Sequence, residues 1–102
     1  MSVIVVATVF PVPEHRAEVL SALAGRVPLV HAEDGCDLYA LHEGPDRFVL
    51  IEKWTSDDAL SVHAKAQPLA DLRARLAGKT IGDLDIQVMT AVPAGTGEQG
   101  SL

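Results

Sequence analysis

The sequence predicts an α+β fold. Its elements run β-α-β-β-α-β, the ferredoxin-like split βαβ pattern, with an antiparallel sheet and both helical regions on one face. Three observations carry this reading. A β-branched run opens the chain, two alternating stretches flank strong turn chemistry, and each of two helical patterns is followed by a strand pattern. At 102 residues the chain holds one domain, placed at residues 1–92, with a flexible tail at 93–102.

The first strand, Val3-Ile-Val-Val-Ala-Thr-Val-Phe10, is a continuous run rich in β-branched residues, which suits burial on both faces. Pro11 and Pro13 end it, and Pro13 suits the first turn of a helix. From Glu14, Leu20, Leu23, Val27 and Val30 recur at helical spacing, with Val19 and Ala22 widening the stripe. Pro28 is expected to kink or loosen the last turn. Glu33-Asp34-Gly35 is a turn. Cys36 to His42 alternates as a second strand, with Cys36, Leu38, Ala40 and His42 on one face. Glu43-Gly-Pro-Asp46 makes a hairpin. Arg47 to Trp54 returns as the third strand, with Phe48, Leu50, Glu52 and Trp54 on one face and Val49, Ile51 and Lys53 on the other.

Thr55 or Ser56 is set to cap the next helix, with Asp57 and Asp58 near its positive end. Ala59, Val62, His63 and Ala66 follow at i, i+3, i+4 and i+7. Pro68 breaks or restarts the helix, and Leu69, Leu72 and Leu76 form a further stripe. After a Gly78–Gly82 loop, Leu84, Ile86, Val88, Thr90 and Val92 alternate as the fourth strand.

The formal net charge is −6, and the eight basic residues are scattered. This argues against nucleic acid as a partner, because backbone binding needs clustered Lys and Arg. It also argues against an anionic membrane surface. The run from Val3 to Val12 is too short to span a bilayer. One cysteine allows no internal disulfide, which makes a reducing cytoplasm the default compartment. Helices on one face leave the other sheet face needing a cover, most simply a second copy, so a homodimer is expected.

The most distinctive stretch places Glu52 and the single Trp, Trp54, on one strand face, with His63 nine residues later on a helix. A core-facing acid is costly unless paired or protonated. One reading makes Glu52 and His63 a proton-transfer pair beside an aromatic wall. The other has Glu52 reach water at a strand end and His63 sit as a satisfied core histidine. Tyr39 supplies a pocket hydroxyl or simply packs. Cys36, beside Glu33, Asp34 and Asp37, reads as a small buried hydrophobe, because neighbouring acids raise a thiol. No metal-ligand spacing and no dinucleotide-binding glycine pattern occurs, so neither a metal nor a dinucleotide cofactor is expected.

Four segments in order resemble the antibiotic biosynthesis monooxygenase domain family, which includes small quinol monooxygenases. They are Val3-Ile-Val-Val-Ala-Thr8, His31-Ala-Glu33-Asp-Gly35-Cys36-Asp-Leu-Tyr39-Ala-Leu-His42, Phe48-Val-Leu-Ile-Glu52-Lys-Trp54 and Ala59-Leu-Ser-Val-His63. They follow the family pattern E-P-G-C-x-x-Y, F-x-x-x-E-x-W and A-x-x-x-H, with Asp34 in place of Pro, across residues 3 to 92. The resemblance implies a dimeric α+β barrel with a pocket between sheet and helices. It also implies oxygenation of a small phenolic or quinol compound by O2, with no cofactor. On it, His63 is the proton shuttle or orienting group, Trp54 a ring wall or hydrogen-bond donor, and Glu52 the group tuning His63 or stabilising the pocket. Tyr39, Phe48 and Leu50 are the expected substrate contacts. Haem-degrading relatives use an early Asn, and this chain has none, which disfavours haem chemistry. Two alternatives stay open: isomerisation of a small hydroxy-ketone, and a non-enzymatic ligand-binding dimer.

Overall fold

Val3–Val9 (β1), Cys36–Glu43 (β2), Phe48–Trp54 (β3) and Asp85–Met89 (β4) form one sheet in a computed structural model that describes residues 2–102. The strand order is β2-β3-β1-β4, and every neighbouring pair is antiparallel. This is the expected ferredoxin-like arrangement. A 3-10 turn at Pro13–His15 leads into Arg16–His31 (α1). Asp57–Ala64 (α2) and Gln67–Leu76 (α3) fill the second helical region, and Gly97–Gly100 (α4) adds one short turn within the C-terminal segment.

Strict alternation in β1 and β3 sorts the sheet into two sides. Val3, Val5, Ala7 and Val9 are buried under the helices, with Phe48, Leu50, Glu52 and Trp54 beside them. Ile4, Val6, Thr8, Val49, Ile51 and Lys53 lie on the opposite face and are half-buried. The first strand is therefore buried on one face within the chain, not on both. From α1, Val19, Ala22, Leu23 and Val30 close the core, and Leu72 and Leu76 join from α3. The helix α1 continues through Pro28 to His31.

The alternation expected along β2 breaks at one point. A bulge between Cys36 and Leu38 pairs Cys36 with Trp54 and Leu38 with Lys53. The extra residue moves Cys36 to the helix side, away from Leu38, Ala40 and His42. Tyr39 then pairs with Glu52 and is 4% exposed. A second difference lies in α2. Ser56 caps it by accepting from the Ala59 N–H at 3.1 Å, and His63 turns inward, but Val62 points to solvent at 66% exposure. Of the stripe expected at Ala59, Val62, His63 and Ala66, Val62 therefore faces away from the core.

Candidate active site

The site is built from residues on several elements, two of them on β3. Register places Glu52 between Val5 of β1 and Tyr39 of β2. Glu52 is 4% exposed and faces the helix layer, where α2 presents His63. The Trp54 indole N–H donates to Glu52 Oε1 at 2.9 Å. The Trp54 ring stacks on the His63 imidazole at 4.4 Å with an interplanar angle of 30°. Tyr39 meets the same imidazole edge-on at 5.9 Å.

His63 is fixed from the other side by Glu33, in the turn that precedes β2. Its Nδ1 lies 2.9 Å from Glu33 Oε1. With Glu33 ionised, Nδ1 carries the proton and donates, leaving Nε2 as the basic nitrogen. The second Glu33 oxygen, Oε2, is buried without a partner among the described residues. The carboxylate's compensation therefore rests on His63. Glu52 and His63 share no hydrogen bond: Glu52 is tied to Trp54, and His63 to Glu33. A signal for Glu33 existed in the sequence, since it opens the Glu33-Asp-Gly35-Cys36 segment that carries the family resemblance.

Burial pushes the Glu52 carboxyl above its ordinary range, and the nearby Glu33 adds to the rise; the Trp54 N–H and the charge of His63 pull it back. Burial, with Glu52 and Glu33 nearby, also raises the Tyr39 phenol, which stays a neutral O–H donor. The Cys36 thiol is raised by burial and then by Glu33 and Glu52, so it is no ready nucleophile.

Between the sheet and helices α2 and α3 lies a cavity of about 200 Å³. That is below the roughly 300–1,000 Å³ of drug-sized sites, so it suits a small ligand. Its walls are Val5, Ala7, Val9, Leu50, Leu60, Leu69 and Leu72, with Ile86 and Val88 of β4 along the edge. Ile86 is 42% and Val88 55% exposed, so the cavity opens beside β4. Glu52, His63 and Tyr39 all line it. Glu52 Oε2, His63 Nε2 and the Tyr39 hydroxyl make no hydrogen bond to other described residues.

Two of the predicted residues do not reach this space. Trp54 is fully buried behind Glu52 and His63, as donor and stacking partner and not as a wall. Phe48 is fully buried at the hairpin end of β3, under the Arg16 guanidinium at 4.7 Å. Arg16 also donates to the Gly44 and Pro45 carbonyls, which seals that end. Among the described residues, no three His, Cys, Asp or Glu side chains cluster as a metal site. No described helix is long and apolar enough to cross a membrane.

The model of a family described as Antibiotic biosynthesis monooxygenase matches residues 2–75. Among solved structures, Rv0793 from Mycobacterium tuberculosis is 26% identical with a TM-score of 0.86, covering 94% of this chain and 100% of its own. A crystal structure described as an antibiotic biosynthesis monooxygenase is 29% identical with a TM-score of 0.82, covering 89% of this chain and 99% of its own. A candidate antibiotic biosynthesis monooxygenase from Deinococcus radiodurans is 27% identical with a TM-score of 0.83, covering 92% and 96%. Among curated proteins nothing matches.

Proposed function

Because the chain belongs to the antibiotic biosynthesis monooxygenase family, we propose that it oxygenates a small phenolic or quinol compound with O2 and no bound cofactor. The observation that carries this reading is the single free nitrogen of a buried histidine, His63, in an apolar cavity beside a buried acid and a neutral phenol.

The substrate hydroxyl gives its proton to His63 Nε2, and the Glu33 carboxylate steadies the resulting imidazolium. The phenolate left behind is electron-rich, and the ring itself supplies all the electrons that O2 takes up. One oxygen atom becomes a new ring carbonyl, and the other leaves as water with the protons released from the ring carbon and the hydroxyl. Tyr39 donates a hydrogen bond to the developing oxyanion. Glu52 in its protonated form offers a second donor, and Trp54 holds it in place. The Leu and Val walls keep bulk water from the intermediate.

We read the open sheet face as the seat of a second copy. Ile4, Val6, Ile51 and Val49 form an apolar band there that α1, α2 and α3 do not cover, with the C-terminal segment reaching its Ile4 and Lys53 end. A homodimer closing two sheets into an α+β barrel satisfies it, and sedimentation equilibrium measures the mass. The single cysteine favours the cytoplasm.

Oxygen uptake with a panel of naphthols and quinols tests the activity. Turnover by the wild type that falls at least about 100-fold in His63→Ala is expected from loss of a general base. Equal rates would remove His63 from the mechanism. Solvent proton exchange into a hydroxy-ketone without oxygen uptake would assign an isomerase instead.

A further inference from the structure

The proposed chemistry leaves one charged cavity residue unused. Arg73 stands on α3, beside Leu72 and four residues after Leu69, and all three line the cavity. Among the described lining residues it is the only Lys or Arg. No described carboxylate lies within ion-pair distance of it, whereas Arg16 and Arg47 are each bound to an acid and laid over a Phe ring. Arg75, two residues further on, faces a separate groove with Glu18 and Lys79.

The register gives Arg73 a position relative to the acid–base groups. Glu52 and Val88 both pair with Val5. Arg73 shares a shallow depression with Leu84, which precedes Asp85, the partner of Thr8. Val5 and Val9 are four strand residues apart, a separation of about 13 Å at the usual rise per residue. The cavity thus runs along β1, with Glu52 and His63 beside Val5, the apolar side chains of Ala7, Leu50 and Ile86 next, and the exposed Arg73 of α3 on its lining and on the depression beside Leu84. In a chain of net charge −6, an uncommitted cation at an otherwise apolar mouth selects an anion.

We infer that Arg73 is a specificity-determining residue that anchors a carboxylate on the substrate, making the substrate class an elongated aromatic hydroxy-acid. Its phenol faces His63, and its carboxylate faces Arg73. This rests on the reading of the cavity as the phenol-binding site given above.

Calorimetric titration with three probes tests it: 6-hydroxy-2-naphthoate, its neutral analogue 6-hydroxy-2-naphthamide, and 2-naphthol. The wild type is expected to bind the acid about tenfold more tightly than the amide, as a charge-assisted contact provides. Arg73→Gln should abolish that preference and leave amide affinity unchanged, while Arg73→Lys keeps part of it. The preference should weaken as salt rises. Amide and naphthol binding with no preference for the acid, or a preference that survives Arg73→Gln, overturns the role of Arg73 and leaves the cavity reading standing. Failure of all three probes to bind the wild type overturns the cavity reading and this inference with it.

Discussion

The Glu33 carboxylate accepts a 2.9 Å hydrogen bond from His63 Nδ1, joining a turn to a helix thirty residues later in the chain. The side chains are 15% and 6% exposed, so water screens the pair poorly. A carboxylate behind an imidazole fixes its tautomer and supports the charge that forms when Nε2 takes a proton. Glu33 is therefore a positioning residue that acts through His63.

This relationship predicts a graded series in oxygen uptake. Glu33→Gln keeps a hydrogen-bond acceptor for Nδ1–H but loses the charge; Glu33→Ala loses both. Rates should fall in that order, by roughly tenfold and roughly 100-fold. The double variant Glu33→Ala with His63→Ala should be no slower than His63→Ala alone, because residues acting as a unit are non-additive. Additive losses would show that Glu33 acts elsewhere.

Glu52 predicts a pH dependence of stability with a definite sign. Its folded pKa lies above the ordinary value because burial disfavours the charged form. The folded state then binds more protons than the unfolded state between the two values. Stability therefore falls as pH rises from the unfolded carboxylate range through the raised folded value, and the loss is complete above it. Glu52→Gln retains an acceptor for the Trp54 N–H and removes the charge. Its melting temperature should exceed that of the wild type by a few degrees at pH 8, with the gain vanishing in acid. A gain of the same size at pH 4 and pH 8 would mean that ionisation of Glu52 has no part in it.

Tyr39 predicts the opposite separation of folding and function. Its hydroxyl makes no hydrogen bond to other described residues, yet the residue lines the cavity. Tyr39→Phe should leave stability within about 0.5 kcal/mol of the wild type. The oxygen-uptake kcat should fall roughly tenfold or more, with KM little changed, through loss of one donor to the developing oxyanion. Unchanged kinetics would make Tyr39 a packing residue.

The fold was legible in the sequence because its signals are periodic. Alternation put Leu50, Glu52 and Trp54 on one side of β3, and helical spacing put Ala59 and His63 on one side of α2. Alternation fixes the side of a strand, not the depth reached over it. It could not tell that Arg16 would cap Phe48 or that His63 would screen Trp54 from the cavity. Nor does periodicity report a bulge, so alternation puts Cys36 on the face of Leu38, Ala40 and His42 that the bulge makes it leave. Glu33 sits in a turn, outside any period, and its partner is remote in sequence. Only the tertiary fold brings it to His63.

Phe48 and Leu50 turn that distinction into a measurement. Phe48→Ala deletes a fully buried ring outside the cavity. It should cost about 3–5 kcal/mol of stability and leave KM unchanged in the folded fraction. Leu50→Ala, on the cavity wall, should cost about 2–5 kcal/mol and also shift preference toward bulkier rings. A change in substrate preference with Phe48→Ala and none with Leu50→Ala would move the binding site to the hairpin end.

Gly35 supplies the last prediction, because it holds the Glu33 turn against α2. Its φ is +81°, a left-handed conformation that favours glycine. A Cβ added there would stand 2.5 Å from Ala59 Cβ and 2.7 Å from Thr55 Oγ1. The Gly35 carbonyl also accepts from the Thr55 N–H at 2.9 Å. Ala59 is one helical turn before His63, so relieving the clash displaces the imidazole from Glu33. Gly78 is the control, with a φ of +76° and open space around its Cβ position. Gly78→Ala should cost about 1–2 kcal/mol from backbone strain alone and leave oxygen uptake intact. Gly35→Ala should cost more than that in thermal unfolding and lower the uptake rate of the folded protein as well. Equal penalties in the two variants, with equal rates, would show that the turn does not position His63.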